Sequence, residues 1–298
     1  MSETIHVVLC RNRHESSQQQ KLIGQFTDAL PGHESIALWV TPHLYDLTPD
    51  GTVMEQLRTI EGDLIVGSWL HPRAAFWVLD ANGIGGRMGQ SDLIDSNQTG
   101  ESVTGSGRHE RTIWCFDLRQ FDDAAPLLAE IERIRTERVG PGPSAEAVAG
   151  QKPVELEEPT RRRWYPVVDR SRCANCLDCL NFCLFGVFGI DRQEQLLVEA
   201  PDACKDGCPA CSRVCSAGAI MFPDHQDPVI AGDASGNGGQ VNLDLVQLFD
   251  ATSSLDLTAA EREQIRSKLP PTAASCDCPT CSHDDLDDLV DGLDEEAF

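Results

Sequence analysis

Eight of the thirteen cysteines in this 298-residue chain fall into two short runs. Cys173, Cys176, Cys179 and Cys183 follow the pattern C-x2-C-x2-C-x3-C. Cys204, Cys208, Cys211 and Cys215 follow C-x3-C-x2-C-x3-C. Thiolates so spaced are soft metal donors. Three closely spaced cysteines on one loop can wrap three corners of an iron–sulfur cubane, and a fourth must arrive from elsewhere. A zinc knuckle needs only a pair of cysteines from each loop, whereas each run here carries four, so cubane ligation is the stronger reading. A disulfide scaffold fits poorly. The chain is long, it opens without the basic and apolar regions of a secretory signal, and its cysteines sit at metal-ligand spacings.

Together with Asp169-Arg-Ser-Arg172 before the first run and Ser216-Ala-Gly-Ala-Ile220 after the second, these runs resemble the bacterial-type two-[4Fe–4S] ferredoxin domain over roughly residues 161–223. The resemblance implies crossed ligation, the last cysteine of each run serving the other cluster. Cluster one would then take Cys173, Cys176, Cys179 and Cys215, and cluster two Cys204, Cys208, Cys211 and Cys183. It further implies a small α+β module that relays single electrons to or from a redox protein partner or a larger oxidoreductase complex. The expectation is a cytoplasmic electron carrier or subunit, not a stand-alone enzyme. The chain departs from the family at three points. Leu184 and Ser216 stand where a proline usually follows each crossing cysteine, and an extra residue separates Cys204 from Cys208. Phe182, Phe185, Phe188 and Phe222 are expected to pack against the clusters and exclude water. Two alternatives stay open. One is an oxidoreductase subunit with a ligand site elsewhere in the chain, and the other is a zinc-binding interaction protein.

Other candidate groups carry weaker signals. Cys276, Cys278, Cys281 and His283 form a C-x-C-x2-C tail motif that suits an additional metal or a mobile thiol-bearing tail equally. Near the N-terminus, Cys10, Arg11, Arg13 and His14 follow one apolar run, His71 and Arg73 follow another, and Arg119 a third. In an open α/β sheet the carboxyl ends of strands are where ligands bind, so these residues outline a ligand or docking edge. Ordinary surface arginines and satisfied histidines are the plainer reading. The glycines at 83–89 do not make a dinucleotide fingerprint, because the spacing is wrong and they follow a helix.

The elements that would position these groups divide the chain in four. Residues 1–138 alternate short apolar runs (4–10, 35–40, 63–69, 112–118) with helical patterns (16–30, 52–60, 72–82, 123–137). That alternation predicts an α/β domain, a parallel sheet with helices on both faces, and the polar segment 87–110 as a long loop. Residues 139–160 are rich in Gly, Pro and Glu and read as a flexible linker. The cysteine module occupies 161–223. A helical and acidic tail follows over 224–298, with helices expected near 241–250 and 258–269. Its last stretch, Ser282 to Phe298, carries eight carboxylates and no Lys or Arg, with Leu286, Leu289, Val290 and Leu293 at helical spacing.

Composition narrows the function classes. A formal net charge of −24 argues against binding nucleic acid or anionic membrane, since both are polyanions. Acidic excess with only 4 Lys among 24 basic residues also suits a salty cytoplasm. No run of about 18 apolar residues offers a membrane span.

Overall fold

The computed structural model describes residues 4–30, 35–94, 103–105, 111–140 and 152–233. All of them belong to one unit, Met1–Asn242. The helices expected near 241–250 and 258–269, the tail residues Cys276, Cys278, Cys281 and His283, and the acidic terminus lie outside the described residues. Among those described, no helix is long and apolar enough to cross a membrane.

The N-terminal part is an α/β layer structure built on a six-stranded sheet. Its strands are β1 (Ile5–Cys10), β2 (Ile36–Thr41), β3 (Leu64–Ser68), β4 (Arg87–Met88), β5 (Thr112–Asp117) and β6 (Val154–Glu155). They lie in the order β4-β5-β3-β1-β2-β6, and every pairing is parallel. The central strands are almost wholly buried runs of Val, Ile and Leu, as a sheet covered on both faces requires. Neighbouring residues serve opposite faces. Val8, Val66 and Cys115 join one core with α2 (Thr52–Thr59) and α3 (Pro72–Ala81), while Val7, Leu9 and Phe116 join the other with α1 (Ser17–Ala29) and α4 (Ala125–Val139). A capping box sets the start of α1, Ser16 and Gln19 each bonding the other's backbone N–H.

Chain order reverses at β1, so the crevice between the carboxyl ends of β1 and β3 is the topological switch point. Here it is bridged. The Trp69 indole N–H, just past β3, donates to the Cys10 carbonyl at 2.9 Å.

Two findings differ from the sequence expectations. The polar loop over 87–110 opens with β4, which extends the sheet beside β5. The segment 139–160, expected to be a flexible linker, carries the edge strand β6 in its second half. Leu156 N–H donates to the Val40 carbonyl at 2.8 Å, and Leu156 packs against the α2/α3 core. Backbone bonds and one apolar anchor hold this strap, and neither leaves a periodic signal in so short a stretch.

The cysteine-bearing segment is built from β7 (Val167–Val168), α5 (Asp178–Phe182), β8 (Phe188–Ile190), β9 (Leu196–Val198), α6 (Ala210–Val214) and β10 (Ile220–Met221), with α7 (Pro228–Ala231) after it. β7 pairs antiparallel with β10, and β8 with β9. Trp164, Val168, Phe188, Leu196 and Phe222 form its small core. Tyr165, Val167 and Met221 instead enter the α2/α3 core, so the segment is fused to the sheet layer. This explains α3. Pro72 to Asp80 are all buried, because the helix is covered by the sheet on one side and by β7 on the other.

A second anchor is polar. The Tyr45 hydroxyl accepts from Tyr165 N–H at 2.8 Å and donates to the Tyr165 carbonyl, and the two rings stack at 4.4 Å. Tyr45→Phe leaves both backbone groups buried without partners, at roughly 1–3 kcal/mol each. The variant is expected to unfold at lower denaturant by about 2–4 kcal/mol, as read by far-UV circular dichroism. An unchanged midpoint would show that this anchor does not join the two parts.

Candidate cluster-binding site

The cysteine-bearing segment repeats one local design. In each half a loop carries three cysteines, the third at the second position of a five-residue helix, Cys179 in α5 and Cys211 in α6. The fourth cysteine closes that helix. Cys183 N–H donates to the Cys179 carbonyl, and Cys215 N–H to the Cys211 carbonyl, both at 3.1 Å. Three residues after each fourth cysteine stands a glycine in the left-handed region, Gly186 at φ 65° and Gly218 at φ 58°. These glycines turn the chain into β8 and β10 without the usual proline. The first loop bends through Asn175 and Leu177, both left-handed. The second absorbs its extra residue in a turn. Gly207 sits at φ 75°, and Cys208 N–H bonds the Lys205 carbonyl at 3.0 Å.

The pairing of β7 with β10 and of β8 with β9 brings the halves together, and the thiols feel one another across them. Burial pushes the Cys179 thiol up to about 12, and the nearby Cys215, Cys173 and Cys176 add to the rise. Cys204 is pushed up to about 11 by burial, then by Cys208 and Cys183. Cys211 is raised by burial first, then by Cys204, Cys179, Cys183 and Cys208. Thiols of the two runs thus act on one another, Cys215 on Cys179 and Cys183 on Cys204 and Cys211. As bare cysteines these groups resist ionising. A cationic centre that takes thiolates would relieve both their burial and their mutual repulsion. The donor set therefore fits iron–sulfur clusters. Among the described residues no group of three His, Cys, Asp or Glu side chains is placed to hold a single ion, and all ten cysteines are free of disulfides.

No protein-family model matches the chain. Over 66 residues, 22% of its length, it is 41% identical to an uncharacterized ferredoxin of Methanocaldococcus jannaschii. The chain carries a ferredoxin-like segment. The match spans 44% of that relative, less than half of its length.

Around the ferredoxin-like segment the aromatic residues divide. Phe188 and Phe222 are buried, and Trp164 stacks on Phe222 at 5.1 Å while its indole N–H donates to the Cys208 carbonyl at 3.1 Å. Phe182 and Phe185 lie outside the small core of the segment. They remain 42% and 43% exposed, and Leu184 between them 92%. The segment that follows Cys183 runs over the surface of a core too small to bury both rings.

The N-terminal edge is also changed by the structure. Its basic residues do not form one open anion site, because internal carboxylates occupy most of them. Arg13 bonds Asp46 and, at 2.6 Å, Asp224. Arg73 bonds Asp169 at 2.6 Å, and Arg119 bonds Asp117 at 2.6 Å. Arg11 reaches Glu155 at 3.3 Å, and His14 is exposed. Cys10 is fully buried and its thiol is pushed up to about 11 by burial, which excludes it as a reactive thiolate. Cys115 is core, as expected. His71 keeps a buried Nδ1 without a hydrogen-bond partner, and its pKa is lowered by burial, then by Arg119.

Sequence reasoning missed His43. It lines a cavity of about 500 Å3 with Arg11, Asn12, Arg13 and Glu155. Its position past β2, among apolar and proline residues, gives no motif. His43 is buried with no hydrogen bond at Nδ1, and its pKa is pushed down to about 4 by burial, then by Arg13, while Asp46 opposes. The folded protein thus refuses a proton that the unfolded chain accepts near pH 6.5. Stability from this group is complete above pH 6.5 and is lost as pH falls toward 4, by about 3 kcal/mol in all. In denaturant unfolding between those pH values, His43→Asn should lack that part of the wild-type slope. Parallel slopes would contradict a buried neutral imidazole.

Proposed function

We propose that this chain is an electron-transfer protein that relays single electrons through two [4Fe–4S] clusters. Cluster one is held by Cys173, Cys176, Cys179 and Cys215, and cluster two by Cys204, Cys208, Cys211 and Cys183. What supports this reading is the pair of four-cysteine runs, each set on a loop and a five-residue helix of the same design, together with the 41% identity to a ferredoxin over 66 residues. When bound, each cluster supplies one reversible electron at a potential that its surroundings set.

The chain's own residues do the rest. Four thiols per cluster meet the needs of four irons and leave no corner for substrate, which suits relay in place of bond chemistry. Trp164, Phe188, Leu196 and Phe222 exclude water from the core between the cysteine loops. The N–H of Ala219 donates to Cys215 Sγ at 3.3 Å, the kind of contact that favours added negative charge on the sulfur. Phe182, Leu184 and Phe185 lie exposed on either side of Cys183 and offer an apolar contact to a redox protein partner or a larger oxidoreductase complex. The proposed compartment is the cytoplasm, where thiols remain reduced and free to take metal.

One observation favours a second reading, an oxidoreductase subunit with a ligand site in the α/β part. It is the cavity beside His43, into whose wall Arg11 and Asn12 also contribute. The zinc alternative is separated by metal content.

Anaerobically purified protein should contain about eight irons and about eight acid-labile sulfides per chain, and about two zincs without sulfide would contradict the proposal. The crossing has its own test. Cys183→Ser and Cys204→Ser should perturb the same electron paramagnetic resonance signal of the reduced protein, and Cys215→Ser and Cys173→Ser the other. Loss of the Cys173 signal in Cys183→Ser would show that each run serves one cluster.

A further inference from the structure

The α/β part inserts one side chain into the ferredoxin-like segment beside the cysteines. Arg73, the second residue of α3, is 4% exposed and points its guanidinium at the two strand ends that carry Asp169 and Gly218. Its Nε donates to Asp169 Oδ2 at 2.6 Å, and its Nη2 donates to the Gly218 carbonyl at 2.7 Å. Both partners adjoin cysteines of one set. The Asp169 carbonyl accepts from Cys173 N–H at 3.0 Å. Gly218 lies three residues past Cys215, and the next residue, Ala219, donates its N–H to Cys215 Sγ. Resting on the two-cluster reading, we propose that Arg73 is a positioning and tuning residue through which the α/β part raises the reduction potential of cluster one above that of cluster two.

A clamp alone would not need this chemistry. A buried ion pair adds little net stability, and well-packed apolar residues would join the two parts as well. A fixed cation in a water-poor core, by contrast, is felt strongly by charges nearby. Reduction adds one electron, and so one negative charge, to the cluster. A cation next to Cys173 and Cys215 favours that state. Asp169 opposes it, but its carboxylate is shared. Arg172 approaches it at 3.6 Å, and Ser171 donates to it from both N–H and hydroxyl. Two guanidiniums thus face the Asp169 carboxylate on this side, while Asp178 acts on Cys176. On the side of cluster two Asp206 lies two residues past Cys204, as Asp178 lies two past Cys176, so these carboxylates weigh alike on both clusters and Arg73 makes the difference. Arg163, buried beside Trp164, whose indole donates to the Cys208 carbonyl, is spent on Asp202 and the Leu47 carbonyl. The two clusters are therefore unequal, and an electron in the module comes to rest on cluster one, against the α/β part.

The test is a redox titration of the full chain, purified anaerobically and followed by electron paramagnetic resonance, with Cys204→Ser used to assign the cluster-two signal. Wild-type iron and sulfide are counted first, so that absence of two clusters is recognised as failure of the underlying reading, which also overturns this one. Arg73→Gln keeps a donor for the Gly218 carbonyl and removes the charge. It should lower the reduction equilibrium constant of cluster one at least tenfold, about 59 mV for one electron, and move cluster two less than threefold. Arg73→Lys, which keeps the charge, should restore most of that shift. Asp169→Asn should move cluster one in the opposite direction. A structural role alone would not reverse sign between the two variants. A cluster-one midpoint unmoved in iron-replete Arg73→Gln, or equal shifts in both clusters, would overturn the proposal. If Arg73→Gln fails to hold iron, Asp169→Asn decides, and an unmoved cluster one in that variant overturns it.

Discussion

Cys179 and Cys211, buried in one small apolar core with other cysteines packed against it, resist ionising unless a cationic centre joins them. That electrostatic constraint organises the molecule. Burial and mutual proximity push Cys179 and Cys204 well above the ordinary thiol range. The loops that carry them hold positions the side chains would not choose alone, with Asn175, Leu177 and Gly207 in left-handed backbone. The segment that does this is tiny. Its strands are two or three residues long and its helices five, too short to be stable as isolated elements. Such a core depends on what binds its sulfurs and on what it leans against.

It leans on the α/β layer through three contacts. Tyr165, Val167 and Met221 share the α2/α3 core, and Tyr45 satisfies the backbone of Tyr165. Asp46 accepts from Arg13 and from the backbone of Arg163, and Arg13 goes on to Asp224. Arg73 reaches Asp169 and Gly218. The first contact is dispersion and water exclusion, and the others set orientation by directed bonds. Together they join the cysteine loops to the α/β layer and bring the buried Arg73 to Asp169 and Gly218. The switch-point crevice, where an α/β sheet would ordinarily hold its ligand, is bridged by Trp69, and the cavity beside His43 lies instead past the ends of β1 and β2.

Much of this was legible in the residue order, for identifiable reasons. The strands β1, β2, β3 and β5 are uninterrupted apolar runs, and the helices between them have clear starts, Ser16 before α1 and Pro72 at the head of α3. Cysteine spacing exposed the ferredoxin-like segment because metal ligation constrains neighbours along the chain. What stayed hidden is long-range and polar. Nothing near Arg73 or Arg13 announces a partner 96 or 211 residues away, so both looked like surface cations. β6 has only two residues and no alternation, and it is held by backbone bonds to β2 that any sequence could make. Phe182, at the end of α5, and Phe185, after Cys183, lie outside the apolar core that Phe188 and Phe222 join.

Counting unpaired spins is the most direct test of the proposal that the chain carries two one-electron centres in a single core. In the fully reduced protein, electron paramagnetic resonance should integrate to about two spins per chain, with line broadening from two paramagnets held close together. An integral of about one spin, or two spins without mutual broadening, would contradict two clusters joined by crossed ligation.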